Sequence, residues 1–188
     1  ISRANSVLNL LLQAEEIPQA DIDRISAEAR FLRAHYYFDL KKLFNSVPYV
    51  DEKVDPADIS TVPNSPDIWG NIEADFQYAF DNLPEPHTDA GRANKWAAGA
   101  YLAKAYLYQG KYPEAKMLFD NVIANGQTTN GKPYALVSNY SQIYNAENDN
   151  HEESIFAVQT SMNSGSTRNS NWFDDLNYPY NTGNDGPG

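Results

Sequence analysis

Glu28-Ala29-Arg30-Phe31-Leu32-Arg33-Ala34-His35-Tyr36-Tyr37-Phe38-Asp39-Leu40 is the most informative run of the chain. It lacks Gly and Pro, and its apolar residues recur three and four apart, the spacing of one face of an α-helix. Followed outward, the pattern begins at Asp21, a residue suited to capping a helix N-terminus, and is closed by Pro48. The stripe Ile22, Ile25, Ala29, Leu32, Tyr36, Leu40 and Leu43 is predicted to face the core. Arg30 and Arg33, with Glu28, flank that stripe. The default role of long cations there is to bury their stems and pair at a helix interface.

Four more helices read outward from this one. Ala4, Val7, Leu8, Leu11 and Leu12 form a buried face ended by Pro18. Ser65-Pro66-Asp67 combines a capping hydroxyl, a first-turn Pro and an acid, and opens a helix whose face is Trp69, Ile72, Phe76, Ala79 and Leu83. Asn94 caps a helix over 95–109 that stops at Gly110, and Pro113 starts one that ends at Gly126. Within this last pair, Leu102, Tyr106, Gly110, Tyr112, Ala115, Phe119 and Val122 stand at tetratricopeptide spacings, with Gly99 and Ala103 replacing the Trp and Gly of that pattern. The second and third helices form a weaker second pair across a long acidic loop. Tyr36, Tyr101 and Tyr106 are expected in the core.

Beyond Gly126 the texture changes. Residues 138–144 suit a short helical turn, and 154–160 a short strand by their Ile, Phe and Val content. Residues 161–188 are rich in Asn, Ser and Gly, with Trp172, Phe173, Tyr178 and Tyr180 among them. The expected division is a tetratricopeptide-like helical scaffold over 1–126 and a loop-rich region over 127–188. The fold class is mainly α, with irregular loops and little strand. The chain opens in a helical pattern without Met or export signal and stops at Gly186-Pro187-Gly188, so it reads as an internal segment of a longer protein.

Composition excludes several functions. Fourteen Lys and Arg against 25 Asp and Glu give a net charge of −11, which disfavours nucleic acid. With no Cys there is no disulfide framework, thiolate metal site or cysteine nucleophile in these residues. No apolar run is long enough for a membrane helix. The run 126–133 nearly spells a phosphate loop, but Pro133 occupies the position of the magnesium-binding hydroxyl and the run follows a helix, so a turn is expected. His35, His87 and His151 lack metal-ligand spacing, and Asn181, Gly183, Asp185 and Gly186 miss the calcium-loop pattern. Neither Asp174 with Asp175 nor Glu152 with Glu153 is set out as a glycosidase pair, and no nucleophile elbow occurs. The residues therefore predict a non-enzyme without cofactor or metal. The tail aromatics lie outside any periodic face. Flat rings among amides and carboxylates suit an uncharged, hydroxyl-rich ligand such as a sugar, stacked on Trp172 with Tyr178 and Tyr180 as further platforms and Asn171 and Asp174 as hydroxyl partners. The alternative is that these rings plug the fold or pack on other parts of the protein.

Four blocks in order resemble one family. Glu28 to Leu40, followed by Phe44, Val47 and Pro48, resembles the signature helix of the SusD/RagB outer-membrane lipoproteins. Ile72-Glu73-Ala74-Asp75-Phe76 with Leu83-Pro84 is similar to the next helix. Gly91-Arg92-Ala93-Asn94-Lys95 and Ala98 to Tyr112 resemble its tetratricopeptide hairpin, and Asn150 to Phe156 its strand entry. The resemblance covers most of residues 1–160. It implies a surface lipoprotein of the outer membrane, anchored by a lipidated Cys outside these residues. Such proteins sit as a lid on a TonB-dependent transporter and capture oligosaccharides or polysaccharides, sometimes peptides, without catalysis. The helices would dock on the transporter and the loops would carry the ligand. A generic tetratricopeptide adaptor for proteins and a glycoside hydrolase are the alternatives. The family's ligand residues vary too much to transfer, so the tail site rests on composition.

Overall fold

A computed structural model describes residues 1–65, 67–87 and 89–159. Among these residues the helices are α1 (Ser2–Leu11), α2 (Gln19–Phe44), α3 (Trp69–Asn82), α4 (Lys95–Tyr108) and α5 (Tyr112–Asn125). Each packs chiefly on its neighbour in sequence, so the chain stacks as successive hairpins. A two-stranded antiparallel ribbon, β1 (Val47–Pro48) and β2 (Asn64–Ser65), pairs Val47 with Ser65 and Pro48 with Asn64. It ties off the loop between α2 and α3. The molecule is mainly helical, as expected.

Helix ends follow local chemistry at several positions. The Asn94 side chain accepts from the Ala97 N–H at 2.8 Å and caps α4. Gly110, at φ +75°, turns the chain from α4 into α5, which carries Pro113 in its first turn. Two expected starts are corrected. Pro18, not Asp21, precedes α2, and Asp21 lies in the first turn, where it pairs with Arg24 at 3.3 Å. Ser65 is drawn into the ribbon, and Asp67 instead accepts from the Trp69 N–H at 3.1 Å before α3.

The core lies between α2, α3 and α4. Phe31, Phe38, Ile68, Ile72, Phe76 and Leu102 are fully buried, and each contributes roughly 1.5–3 kcal/mol of transfer free energy. The stripe predicted for α2 is rotated. Leu32 and Tyr36 are 41% and 49% exposed and Leu43 is 75% exposed, while Ala27, Phe31, Ala34 and Phe38 face the core. Of the predicted stripe, Ala29 is buried, against Ala4 and Leu8 of α1. The helix has apolar residues on two flanks, and the larger partners, α3 and α4, cover the Phe31 flank. Leu12, expected in the core, is exposed for a similar reason, because α1 buries only Ala4 and Leu8.

After α5 the chain makes a turn, not a phosphate loop. Thr128 N–H donates to Lys132 O at 2.7 Å, Gly131 N–H to Thr128 O at 2.9 Å, and Gly131 sits at φ +81°. Residues 154–159 of the expected strand are not part of either strand of the ribbon. Phe156 instead plugs the core, its ring 4.9 Å from Phe31 in an edge-on contact. One compact unit runs from Ile1 to Ala157; of the second, from Val158 on, only Val158 and Gln159 are described.

Gly126 ends α5 at φ −70°, so its need is space and not a left-handed backbone. A Cβ there would stand 2.2 Å from the Val122 carbonyl and 2.6 Å from the Tyr134 ring. Gly126→Ala is expected to cost ~1–3 kcal/mol of stability, the scale of overpacking, read by urea denaturation. Unchanged stability would show that the turn relaxes freely.

Candidate functional site

The five residues proposed from sequence, Asn171, Trp172, Asp174, Tyr178 and Tyr180, lie outside the described residues, as do the aspartate pair 174–175 and the loop 181–186. Three arrangements of charged, apolar or aromatic groups remain on the described surface and beneath it.

The first is a buried ionic junction. The helical spacing of α2 sets Arg30, Arg33 and Tyr37 on one side, facing Asp75 of α3. Arg33 Nε donates to Asp75 Oδ2 at 2.6 Å and Nη2 to Oδ1 at 2.8 Å, a two-pronged pair. Its Nη1 donates to Glu52 Oε2 at 2.5 Å and to Asn5 Oδ1 at 3.0 Å. Arg30 lies 3.6 Å from Asp75 and stacks over the Tyr78 ring. The Tyr37 hydroxyl bonds both the N–H and the carbonyl of Val50, at 2.7 and 3.0 Å. Burial works against the Arg33 charge, yet its bonds to Asp75 and Glu52 hold the proton more tightly than usual. Burial pushes the Asp75 carboxyl up, against the pull of Arg33 and Arg30. Burial would also raise Glu52, but the Arg33 hydrogen bond, a backbone hydrogen bond and the charges of Arg33 and Arg30 together outweigh it and hold that carboxyl low. Both Asp75 oxygens are occupied by guanidinium N–H groups, so the junction binds α1, α2, α3 and the loop together. This is the interface pairing expected of Arg33, here fully buried.

The second is the meeting of loops beside α4. Glu28 accepts from Arg92 at 2.6 Å and Arg24 at 3.1 Å, with His87 3.8 Å away. Asn94 also donates to Gln127 O at 2.8 Å, and His87 N–H to Thr129 O at 2.6 Å. The cavity enclosed by Arg92, Thr128, Asn130, Asn150 and Phe156 holds about 10 Å³, room for one water. Next to it, an open apolar groove of about 480 Å³ runs between Ala100, Phe119 and Val122 on one side and Tyr134, Leu136 and Ile155 on the other.

The third is a pair of exposed rings. Tyr140 and Tyr144 occupy a 3-10 helix over Tyr140–Tyr144, 70% and 74% exposed. Their centroids are 5.6 Å apart at 73°, and their hydroxyls are joined at 2.8 Å. Asn139 caps the turn, its Oδ1 accepting from Ser141 N–H at 3.1 Å, and Asn145 Nδ2 donates to Gln142 Oε1 at 3.1 Å. The turn is expected from sequence, whereas the two rings are not among the residues proposed from it. The signal was present: two Tyr four apart among Asn, Ser and Gln, the composition that singled out the tail.

Of the histidines, His35 is set among Phe31, Tyr101 and Phe156, with Tyr101 5.1 Å away. Tyr101 is half-buried there as expected, whereas Tyr36 points outward. Burial pushes the His35 imidazole below its usual range, with Asp39 opposing and Lys42 and Lys104 assisting. The unfolded chain therefore takes up a proton near pH 6.5 that the folded chain refuses, and stability falls as pH drops from that value towards the folded pKa. His35→Phe is expected to flatten this part of the curve, read by melting at about pH 5 and about pH 8. An unchanged slope would assign the acid loss to other groups. Among the described residues no cluster of His, Asp and Glu is placed to hold a metal, and no helix is long and apolar enough to cross a membrane.

Comparison with known proteins matches residues 1–107 to the SusD-like family model described as "Starch-binding associating with outer membrane". A SusD-like protein of Bacteroides ovatus is 30% identical over 169 residues, 85% of this chain and 31% of the relative. A laminarin binding SusD-like protein of known structure superposes with a TM-score of 0.67 at 32% identity, over 82% of this chain and 34% of that one. Another structure, solved with xylogluco-oligosaccharide, gives a TM-score of 0.68 at 30% identity, over 84% of this chain and 33% of that one. The chain spans about a third of the length of each of these relatives.

Proposed function

The chain belongs to the SusD-like family, and from that membership we propose that it serves a cell-surface nutrient-binding protein of the outer membrane. The protein captures oligosaccharides or polysaccharides and passes them to a TonB-dependent transporter. It binds its ligand without cutting it, and its only hold on the membrane is a lipid anchor outside these residues. In this reading residues 1–126 are the tetratricopeptide-like scaffold that docks on the transporter, and 127–188 bear the ligand. Trp172 stacks on the sugar, with Tyr178 and Tyr180 as further platforms and Asn171 and Asp174 as hydroxyl partners.

The observation that carries this reading is the likeness, across more than four-fifths of the chain, to a laminarin binding protein and to one solved with xylogluco-oligosaccharide. The charge of −11 adds that a neutral glycan meets less repulsion than an acidic one. Calorimetric titration of the protein with laminarin, xyloglucan, starch and a polyuronic acid tests it. Binding of a neutral glycan is expected, with no reducing ends released on incubation. Trp172→Ala is expected to weaken that binding about tenfold, the scale of one lost stacking contact. A folded sample silent across the panel overturns glycan capture in favour of peptide capture.

A further inference from the structure

Among the described residues, Tyr140 and Tyr144 are exposed rings held in direct contact with each other, and the loop that carries them is braced. At its stem, Ala135 N–H donates to Glu152 O at 3.3 Å and Val137 N–H to the Glu153 carboxylate at 2.6 Å. At its crown, the Asn139 and Asn145 side chains each cap a 3-10 turn, and Asn148 Nδ2 donates to Gln142 O at 3.3 Å. Ile143, between the two rings in sequence, is half-buried. Two large rings thus stand in water in a fixed relation, instead of folding onto the body of the molecule. Such an arrangement leaves little ordering entropy to be lost when a ligand settles on it.

From this geometry we propose that the Tyr140–Tyr144 corner is a stacking site for a neutral oligosaccharide, separate in sequence from the tail aromatics. The proposal rests on the glycan-capture reading and names residues for it. Ring planes at 73° with centroids 5.6 Å apart present two faces to successive sugars of a bent chain, where a single ring would serve one. The apolar C–H face of each sugar lies on a ring, and the hydroxyls meet the amides of Asn139, Gln142 and Asn145. Residues 138–149 contain Glu147 and Asp149 and no Lys or Arg, so the corner repels uronic acids and sulfated glycans.

The test uses the protein with Tyr140→Ala/Tyr144→Ala together, Tyr140→Phe and Tyr144→Phe, titrated with laminarin oligosaccharide, xyloglucan oligosaccharide and maltoheptaose. The double alanine variant is expected to bind at least about tenfold more weakly whichever of these the parent binds. Each phenylalanine variant keeps its ring and is expected to stay within about twofold of the parent, losing only the hydroxyl pair. Nitration by tetranitromethane, located by mass spectrometry, gives a reading that needs no variant: bound glycan is expected to protect Tyr140 and Tyr144. A folded double variant that binds like the parent, or rings that glycan does not protect, overturns the corner and leaves glycan capture standing. A parent that binds none of the three overturns both. Rings unreactive without ligand show the corner to be covered by protein, and this too overturns it.

Discussion

Asp75→Ala is expected to lower the stability of the protein by ~3–5 kcal/mol, because it leaves the Arg33 charge buried without its principal partner. The side chains of Arg33 and Asp75 are 3% and 4% exposed, so water cannot take over from the carboxylate. Glu52 remains on Nη1, but Nε and Nη2 lose both acceptors at once. Arg30, 3.6 Å from Asp75, loses its counter-charge as well. The paired change Arg33→Met/Asp75→Leu is expected to cost less than the sum of the single changes, since no unpaired charge then remains between the helices. Urea denaturation of the four forms gives the coupling. Strict additivity would show that the two side chains act separately, against the geometry. Because the junction also takes in Asn5 and Glu52, α1 and the loop over α2 are expected to loosen with it, read as faster hydrogen exchange at Val50 and Tyr37.

The second large effect separates two adjacent residues. Phe31→Ala is expected to cost ~3–5 kcal/mol, and Leu32→Ala less than ~1 kcal/mol. Phe31 is fully buried, with Phe76 at 5.7 Å, Tyr101 at 5.6 Å and Phe156 at 4.9 Å. Its loss opens a cavity that three elements share and that backbone movement cannot close. Leu32, 41% exposed, lines the shallow groove between α1 and α2 and leaves little void when shortened. Comparable losses for both would place Leu32 under protein in the functional molecule and restore the sequence-predicted face of α2 as a second buried surface.

Those two residues show how far the chain can be read without its fold. Helix existence follows from the recurrence of apolar residues, and the ends at Asn94 and Gly110 from chemistry confined to a few neighbouring atoms. Gly126 looked like another terminal glycine, yet its φ of −70° assigns the requirement to the Tyr134 ring, which sequence spacing does not reveal. The strand expected from Ser154 onward failed over its described part because β-branched and aromatic residues also suit an extended segment whose ring enters a core. Phe156 does so against Phe31. The Tyr140–Tyr144 corner was open to reading from its composition, but the face each ring presents depends on the 3-10 turn and its amide caps.

Sequence alone established the five α-helices found among the described residues, most of their limits, the mainly helical class and the resemblance that the family match bears out. These properties depend on residues within a few positions of one another, or on a linear order of blocks. Tertiary structure decided which flank of α2 is core and what Arg33 is for. The helix carries apolar residues at helical spacing on two sides, so periodicity alone leaves two orientations. Only the arrival of α3, with the consecutive residues Asp75 and Phe76 both set against α2, selects between them. A buried charge must find its partner across the interface, and that requirement sets the rotation of α2 that the apolar pattern left open.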